Sequence, residues 1–131
     1  MIRPLGFSTD DRYLKRSGLD YWKDVEIEYY DSFDELQTRY PDANYYYATT
    51  KAPLKYTNVN FKDGDFIVFG KETKGLPEEL LKRNLDKTIR VPMGHLIRSL
   101  NLANSVAIIL YEALRQNNFF DLEGESSWLI K

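Results

Sequence analysis

Along the first forty residues, hydrophobic positions recur with a helical spacing in some segments and alternate as in a strand in another. This pattern predicts a helix, a strand and a second helix. Residues 12–17 follow a polar segment and precede Gly18, a pattern typical of a short capped helix with a glycine stop. Residues 25–30 alternate between apolar and polar side chains, which predicts a strand with one wetter face. Ser32-Phe-Asp-Glu35 is a capping box, so a helix is predicted to open there and to end near Tyr40.

The same alternation continues to residue 116 and predicts the fold class. Residues 44–50 and 65–70 are aromatic or apolar runs typical of strands buried on two sides, and 87–91 is predicted as a last strand. Helices are predicted from Pro77 to about Asn84, since proline suits a first helical turn, and over 102–116. Strands alternating with helices indicate an α/β fold with a mostly parallel sheet and helices on both faces.

Length and composition predict one globular domain. The 131 residues fit a single domain over 1–131, with a loosely held C-terminal tail over 118–131. The chain has 43% hydrophobic and 29% charged residues and a formal net charge of −2. That charge gives no general attraction to nucleic acid or anionic lipid, so a polyanionic partner must meet a local basic patch.

Residue counts also limit cofactor and compartment. The chain has no cysteine and one histidine, so thiolate or histidine-built metal sites are excluded and no metal is expected. The longest apolar run, 106–111, is too short to span a bilayer, and no basic-then-apolar leader opens the chain. The sequence therefore predicts a soluble cytoplasmic protein without a membrane partner.

Three predicted strand ends carry unusual sequence, at Ala48-Thr-Thr50, at Gly70 to Pro77, and at Val91 to Asn101. Ligands of open α/β sheets bind at the carboxyl ends of strands, where these three segments leave the sheet. Gly70 and Gly75 permit close backbone approach, so main-chain groups can line a cavity suited to a flat heterocycle. The alternative is that both glycines only make turns, and spacing alone favours neither account.

Helix 102–116 is apolar nearly all round, which is typical of a helix that is buried or shared with a partner subunit. Leu102, Val106, Ile109, Leu110, Ala113 and Leu114 are predicted to lie on one side. Asn101, Asn104 and Ser105 fall in its first turn, where free N–H groups attract polar or anionic ligand atoms. Helix capping explains at least one of them equally well.

Basic and aromatic side chains suggest RNA contacts. Arg98 lies in the loop before helix 102–116 and is a candidate for gripping a phosphate, although a solvated loop arginine is commoner. Arg12, Lys15 and Arg16 are candidates for a small RNA-facing patch, against the simpler account of a solvated helix face. Eight of ten tyrosines fall between residues 21 and 56, where strand packing explains most of them and base stacking is the alternative.

Two long segments carry a family resemblance. Phe69-Gly-Lys-Glu-Thr-Lys-Gly-Leu-Pro77 and Val91-Pro-Met, continuing into Arg98-Ser-Leu-Asn-Leu-Ala-Asn-Ser-Val-Ala-Ile-Ile-Leu-Tyr-Glu112, closely resemble the two C-terminal signatures of the SPOUT superfamily of AdoMet-dependent RNA 2′-O-methyltransferases. Arg3-Pro-Leu-Gly-Phe7 and residues 14–22 narrow the resemblance to the small TrmL-like enzymes, tRNA (cytidine/uridine-2′-O-)-methyltransferases that modify the wobble nucleotide. The similarity runs from Ile2 to about Asn117.

The resemblance implies a C-terminal trefoil knot, a rare exception to the general absence of knots, and a homodimer with sites at its subunit interface. It implies S-adenosyl-L-methionine as cofactor and tRNA as substrate. The residues expected around the cofactor are Ala48, Thr49, Gly70, Gly75, Val91, Met93, Ser99 and Leu100. Glu72, Arg98, Asn101 and Tyr111 match polar family positions near the reaction centre or the RNA, and none is assigned as general base.

The family resemblance also implies a further N-terminal strand and helix with an N-T-G-N-[IV]-x-R signature, which this chain lacks, so the chain is expected to be N-terminally truncated. The expected activity is methyl transfer to the ribose 2′-hydroxyl of the tRNA wobble nucleotide. The alternative is an inactive, dimeric remnant that binds AdoMet or RNA. An unrelated nucleotide-binding α/β domain is a third interpretation, and it predicts no AdoMet binding.

Overall fold

A computed structural model describes residues 1–3, 25–97 and 99–130 of the chain. Two compact units are distinguished along it, Met1–Ala43 and Asn44–Lys131. The single domain predicted over 1–131 stays a prediction. The helix predicted over 12–17 lies outside the described residues.

The described part of the N-terminal unit includes a well-capped helix, α1, at Phe33–Arg39. The Ser32 hydroxyl accepts a hydrogen bond from the Glu35 backbone N–H at 3.1 Å, and the Glu35 carboxylate accepts one from the Asp31 N–H at 2.9 Å. The first bond satisfies a backbone donor that the first helical turn leaves free, and the second holds the backbone of Asp31, just before the cap. The predicted helix and its Ser32 cap are therefore confirmed, whereas the second bond of the predicted capping box is made to the Asp31 N–H and not to that of Ser32.

The strand predicted over 25–30 is wrong. Of these residues only Tyr30 pairs, in an isolated parallel bridge with Ile2 that rests on two backbone hydrogen bonds of 2.8 and 2.9 Å. Among the described residues, only the short segment 1–3 lies alongside it. An alternating pattern needs a neighbouring strand of similar length to become a ladder, and the pattern itself does not supply one.

A parallel four-stranded sheet organises the described part of the C-terminal unit. Its strands are β1 (Tyr45–Ala48), β2 (Leu54–Lys55), β3 (Phe66–Phe69) and β4 (Thr88–Arg90). They lie in the order β2-β4-β1-β3, and every pair is parallel. The mostly parallel α/β prediction is confirmed. Sequence analysis missed β2, because two residues are too short for a period to show.

Position in the sheet explains how deeply each strand is buried. Central β1 has three buried tyrosines, Tyr45 to Tyr47, whereas β3 is an edge strand with all four residues partly exposed. The prediction of burial on two sides is therefore wrong for β3, whose one neighbour among the described strands is β1, so that its other side stays partly exposed. Tyr45 and Phe66, opposite each other in the register, stack with ring centroids 5.0 Å apart.

Helices α2 (Glu78–Arg83) and α3 (Leu102–Gln116) complete the unit. Pro77 is the N-cap of α2 rather than a residue of its first turn, and α3 has the bounds predicted for it. None of the helices in the described ranges is long and apolar enough to cross a membrane. The residues at 118–130 are all exposed, with a short 3-10 turn at Trp128–Ile130.

Helix α3 packs against one face of the sheet. Ile109 is 1% exposed and belongs to a buried cluster that also contains Tyr46, Val59, Phe61 and Ile89. Leu110 was predicted on the same side as Ile109, and this is wrong, since it is 44% exposed. Successive helical residues are about 100° apart, which turns Leu110 away from the sheet.

The C-terminal end of α3 is tied to the segment 59–61 by side-chain amides. Gln116 accepts a hydrogen bond from the Phe61 N–H at 2.8 Å and donates one to the Val59 carbonyl at 3.0 Å. Asn117, the C-cap, donates to the Phe61 carbonyl at 3.0 Å and to the Ala113 carbonyl at 2.8 Å. These bonds satisfy the backbone of an irregular segment that the sheet does not pair.

Candidate functional site

Three loops follow β1, β3 and β4 at the carboxyl ends of the strands, called here the carboxyl edge of the sheet. Together they line one cleft of about 500 Å³. Its lining includes all eight residues predicted to surround a cofactor: Ala48, Thr49, Gly70, Gly75, Val91, Met93, Ser99 and Leu100. The fold therefore brings together residues from three separate segments. Their part in cofactor binding stays a prediction, since their position gives proximity and not a role.

The loop after β3 closes into a tight turn whose backbone contacts Gly70. Gly75 donates its N–H to the Lys71 carbonyl at 2.8 Å, and the two residues form an antiparallel bridge. Gly75 has φ +67, a left-handed conformation that side chains disfavour. A Cβ on Gly70 would lie 2.6 Å from the Gly75 Cα and collide with its backbone. Both glycines are therefore required by this turn.

The loop after β1 is held by hydrogen bonds to β4 and to α2. Thr49 donates its N–H to the Ile89 carbonyl at 2.9 Å, which extends the pairing of β1 with β4. Lys51 donates to Glu78 at 2.9 Å, and this hydrogen bond holds the pKa of the Glu78 carboxyl below its usual value. The pair links the β1 loop to the first turn of α2, although both side chains are exposed.

The N-terminal end of α3 forms another wall of the cleft. Asn101 is its N-cap, and its Oδ1 accepts hydrogen bonds from the Ala103 N–H at 2.8 Å and the Asn104 N–H at 3.4 Å. Leu102, Ser105 and Ile109, which share one face of the helix, line the cleft together with Asn101. The capping account is thus confirmed for Asn101, and its place in the cleft is compatible with a second role.

The four predicted catalytic residues do not all lie together. Glu72 and Asn101 line the cleft, and Glu72 is exposed on the turn between β3 and α2. Tyr111 does not line it: the side chain is 58% exposed, on the side of α3 that faces away from Ile109. Arg98 lies outside the described residues, as do the predicted RNA-contacting residues Arg12, Lys15 and Arg16.

Sequence analysis missed several cleft residues, and four of them are basic. Among the described residues, Lys51, Lys71, Lys74 and Arg90 line the cleft, against a single acidic lining residue, Glu72. A count of charges over the loops after each predicted strand would have found the three lysines but not Arg90, which lies within the predicted strand 87–91. Ser105 was considered only as a residue of the first helical turn, and the apolar lining residues Leu76 and Leu81 were not considered at all.

The cleft combines three kinds of surface. Loop backbone around the two glycines offers N–H and C=O groups, the side chains of Leu100, Leu102 and Ile109 offer apolar surface, and the outer loops carry charge. Apolar surface with a few convergent polar groups is typical of sites for small organic ligands. Among the described residues, none of the His, Asp and Glu side chains form a cluster able to hold a metal ion.

Comparison with known proteins identifies the family. The SpoU rRNA Methylase family pattern matches residues 1–111, which include all three cleft-lining loops. The chain belongs to this family. A relative from Listeria monocytogenes, whose name assigns it provisionally to the tRNA (cytidine(34)-2′-O)-methyltransferases, is 50% identical over 131 residues, covering 98% of this chain and 78% of its own.

Two solved structures of methyltransferases resemble this SpoU family member. One, described as giving insight into the 2-OH methylation of C/U34 on tRNA, superposes with a TM-score of 0.81 at 39% identity, covering 90% of this chain and 77% of its own. The other is the SpoU methyltransferase AviRb from Streptomyces viridochromogenes in complex with AdoMet. Its TM-score is 0.73 at 21% identity, over 91% of this chain and 49% of that one, which supports the fold alone.

Proposed function

We propose that this protein transfers a methyl group from AdoMet to the ribose 2′-hydroxyl of the wobble nucleotide, position 34, of tRNA in the cytoplasm. The observation that carries the proposal is the single cleft in which three loops bring together all eight predicted cofactor residues. Family membership and the relatives that act at position 34 support the reaction and the substrate.

The cleft fits the chemistry of AdoMet. Its lining offers apolar side chains to an adenine ring and main-chain groups to the ring's polar edge, around Gly70, Gly75 and Leu100. A volume of about 500 Å³ lies within the range of cavities that bind ligands of this size. Bound there, AdoMet supplies a methyl group already activated by the positive charge of its sulfonium.

The protein's own groups would orient the hydroxyl, take up its proton and exclude water. Glu72 presents an exposed carboxylate beside the cleft and is the candidate to accept that proton. The Oδ1 of Asn101 is engaged in capping α3, which leaves its Nδ2 group to donate a hydrogen bond to a substrate oxygen. Positioning of two substrates in this way supplies much of the reduction in barrier for such a displacement.

The test is calorimetry with AdoMet, followed by incorporation of labelled methyl groups into tRNA. We expect saturable AdoMet binding and label at nucleotide 34, with none when that nucleotide carries a 2′-deoxyribose. Binding without transfer would support the inactive remnant, and absence of binding would contradict the assignment of the cleft to AdoMet. Glu72→Gln should lower kcat and leave the Kd for AdoMet within about twofold.

We also propose that a second copy of the chain covers the outer face of α3. Exposed apolar side chains follow this face at Ala103, Ala107, Leu110 and Tyr111, and the last is 58% exposed. Such a face is typical of a helix that packs against a partner. Tyr111, which does not line its own cleft, would then act at the partner's site. Leu110→Glu should give a monomer by light scattering, with Lys55→Glu as a control that stays dimeric.

The trefoil knot is part of the same proposal. Family membership and the order β2-β4-β1-β3, in which the last strand lies between the first two, support it. Stretching single molecules by their two ends tests it. A knotted chain would reach a contour length shorter than 131 residues allow, whereas an unknotted one would reach the full length.

A further inference from the structure

We propose that Lys71, Lys74 and Arg90 form a basic rim that binds the phosphates of the RNA strand and so delivers its ribose to the cleft. This inference rests on the proposed function and specifies how the same cleft holds its RNA substrate. Lys71 and Lys74 lie in the loop after β3, Arg90 is the last residue of β4, and all three line the cleft.

The cleft differs in charge from the rest of the chain. The whole protein has a formal net charge of −2, whereas the cleft lining holds four basic residues and one acidic residue. A local positive potential in an otherwise acidic protein concentrates polyanions at that one place. Because the protein as a whole is acidic, an RNA partner must bind at a local basic patch, and the cleft lining supplies one.

The rim charges are available to a ligand. Lys51, the fourth basic lining residue, is already paired with Glu78 at 2.9 Å. For Lys71, Lys74 and Arg90, no carboxylate of the described residues lies within ion-pair distance. Both lysines are exposed and Arg90 is partly exposed, so none is buried beneath the surface that an RNA strand would touch.

The turn that carries the two lysines is fixed in shape. Its bridge from Lys71 to Gly75 and the close approach of Gly75 to Gly70 restrict the backbone between them. Charges on a restrained turn lose less conformational freedom on binding than charges on a free loop. The turn also carries Glu72, so phosphates held by its lysines would place a neighbouring ribose beside that carboxylate.

Two anions are compatible with this rim: the phosphates of RNA and the carboxylate of AdoMet. Three separated cations exceed what one carboxylate needs, and the lysines are exposed rather than enclosed with the apolar lining. Both features favour a repeating anion that extends beyond the cleft. The proposal therefore commits to RNA phosphates, and measurements with each ligand distinguish the two.

The experiment compares the wild-type chain with Lys71→Gln, Lys74→Gln and the double variant. Fluorescence anisotropy measures the Kd for a tRNA transcript between about 50 and 200 mM salt. Each phosphate contact to a single strand contributes about 0.7 to the slope of log K against log salt, so the double variant should lose about 1.4. We expect the Kd at low salt to rise about tenfold, equally for transcripts with cytidine or uridine at position 34.

Lys62→Gln is the matched control. Lys62 is an exposed lysine in the turn before β3, at the opposite edge of the sheet, and it does not line the cleft. The control removes the same charge and should leave the slope and the Kd unchanged. Calorimetry with AdoMet should give the wild-type Kd for every variant.

Two results would contradict the proposal that the rim binds RNA phosphates. One is an unchanged salt slope in the double variant, and the other is a loss of AdoMet affinity with normal tRNA binding, which would assign the lysines to the cofactor carboxylate. Failure of the proposed function has a different signature: the wild-type chain would bind tRNA without transferring methyl groups, and the salt-slope comparison would still decide whether the rim binds RNA.

Discussion

The two edges of the parallel sheet are built in different ways, and helix α3 runs from one to the other. At the carboxyl edge, backbone turns around Gly70 and Gly75 line a cleft that the N-terminal end of α3 closes. At the amino edge, the Gln116 and Asn117 amides bind α3 to the segment 59–61. The comparison indicates that α3 is anchored at one end, so that the other end can contact ligand.

The largest effect is expected from Gly70→Ala at the carboxyl edge. The new methyl group would collide with the Gly75 backbone, and a turn cannot yield as a flexible side chain can. We expect a loss of about 3 kcal/mol in the free energy of unfolding and AdoMet binding at least about 100-fold weaker. Urea denaturation and calorimetry measure the two effects.

Gly94→Ala is the control for this change, since a Cβ there meets nothing within 4 Å although Gly94 lies in a cleft-forming loop. It should leave AdoMet affinity within about twofold. Wild-type AdoMet binding by Gly70→Ala would show that the turn does not shape the site.

Gln116→Ala tests the anchored end of α3, at the amino edge of the sheet, and should have the second-largest effect. The substitution leaves the Phe61 N–H and the Val59 carbonyl without their partner, and each unsatisfied buried group costs about 1–3 kcal/mol. We expect a loss of about 2 kcal/mol in the free energy of unfolding from urea titrations. The Kd for AdoMet should not change under native conditions, because the cleft lies at the other end of α3.

Arg115→Gln provides the neighbouring control, because Arg115 is exposed and makes no hydrogen bond to residues 59–61. Its effect should stay below about 1 kcal/mol. If Gln116→Ala weakened AdoMet binding as strongly as Gly70→Ala does, the two ends of α3 would not be independent and the comparison would be wrong.

The same contrast explains how much of this molecule could be predicted from its sequence. Strands β1, β3 and β4 and helix α3 have strong local patterns, and the signature segments mark two of the three loops of the cleft, those after β3 and β4. Pairing across long separations leaves no such pattern. Neither the missing ladder at residues 25–30 nor the anchoring of segment 59–61 by Gln116, 57 residues away, could be predicted from local periodicity.

Two substitutions of Asn101 distinguish its helix-capping role from its proposed role in methyl transfer. Asn101→Ala removes the oxygen that caps the helix, so we expect a loss of about 1 kcal/mol in the free energy of unfolding together with lost methyl transfer. Asn101→Asp keeps an oxygen at the cap but removes the Nδ2 donor. The aspartate variant should have wild-type stability, but its rate of methyl transfer should be at least about tenfold lower. Full activity of the aspartate variant would leave Asn101 with the capping role alone.

The smallest effect concerns pH and the anchored end of α3. Hydrogen bonds from Arg115 and then Gln116 hold the pKa of Glu112 below its ordinary value of 4.5, and its side chain is 9% exposed. A carboxyl group whose pKa is lowered by folding contributes stability above its unfolded pKa and loses it as pH falls through the folded value. The urea concentration at half-unfolding should therefore decrease as the pH drops below 4.5, and Glu112→Gln should show a smaller decrease over the same range.

Hydrogen exchange locates the effect along α3. Because Glu112 also bonds to the Gln116 amide that binds Val59, protonation of Glu112 would loosen the anchored end first. Exchange at the Phe61 N–H should then rise before exchange at the Ala103 N–H. The reverse order, with the Ala103 N–H exchanging first, would show that protonation of Glu112 does not loosen the anchored end of α3.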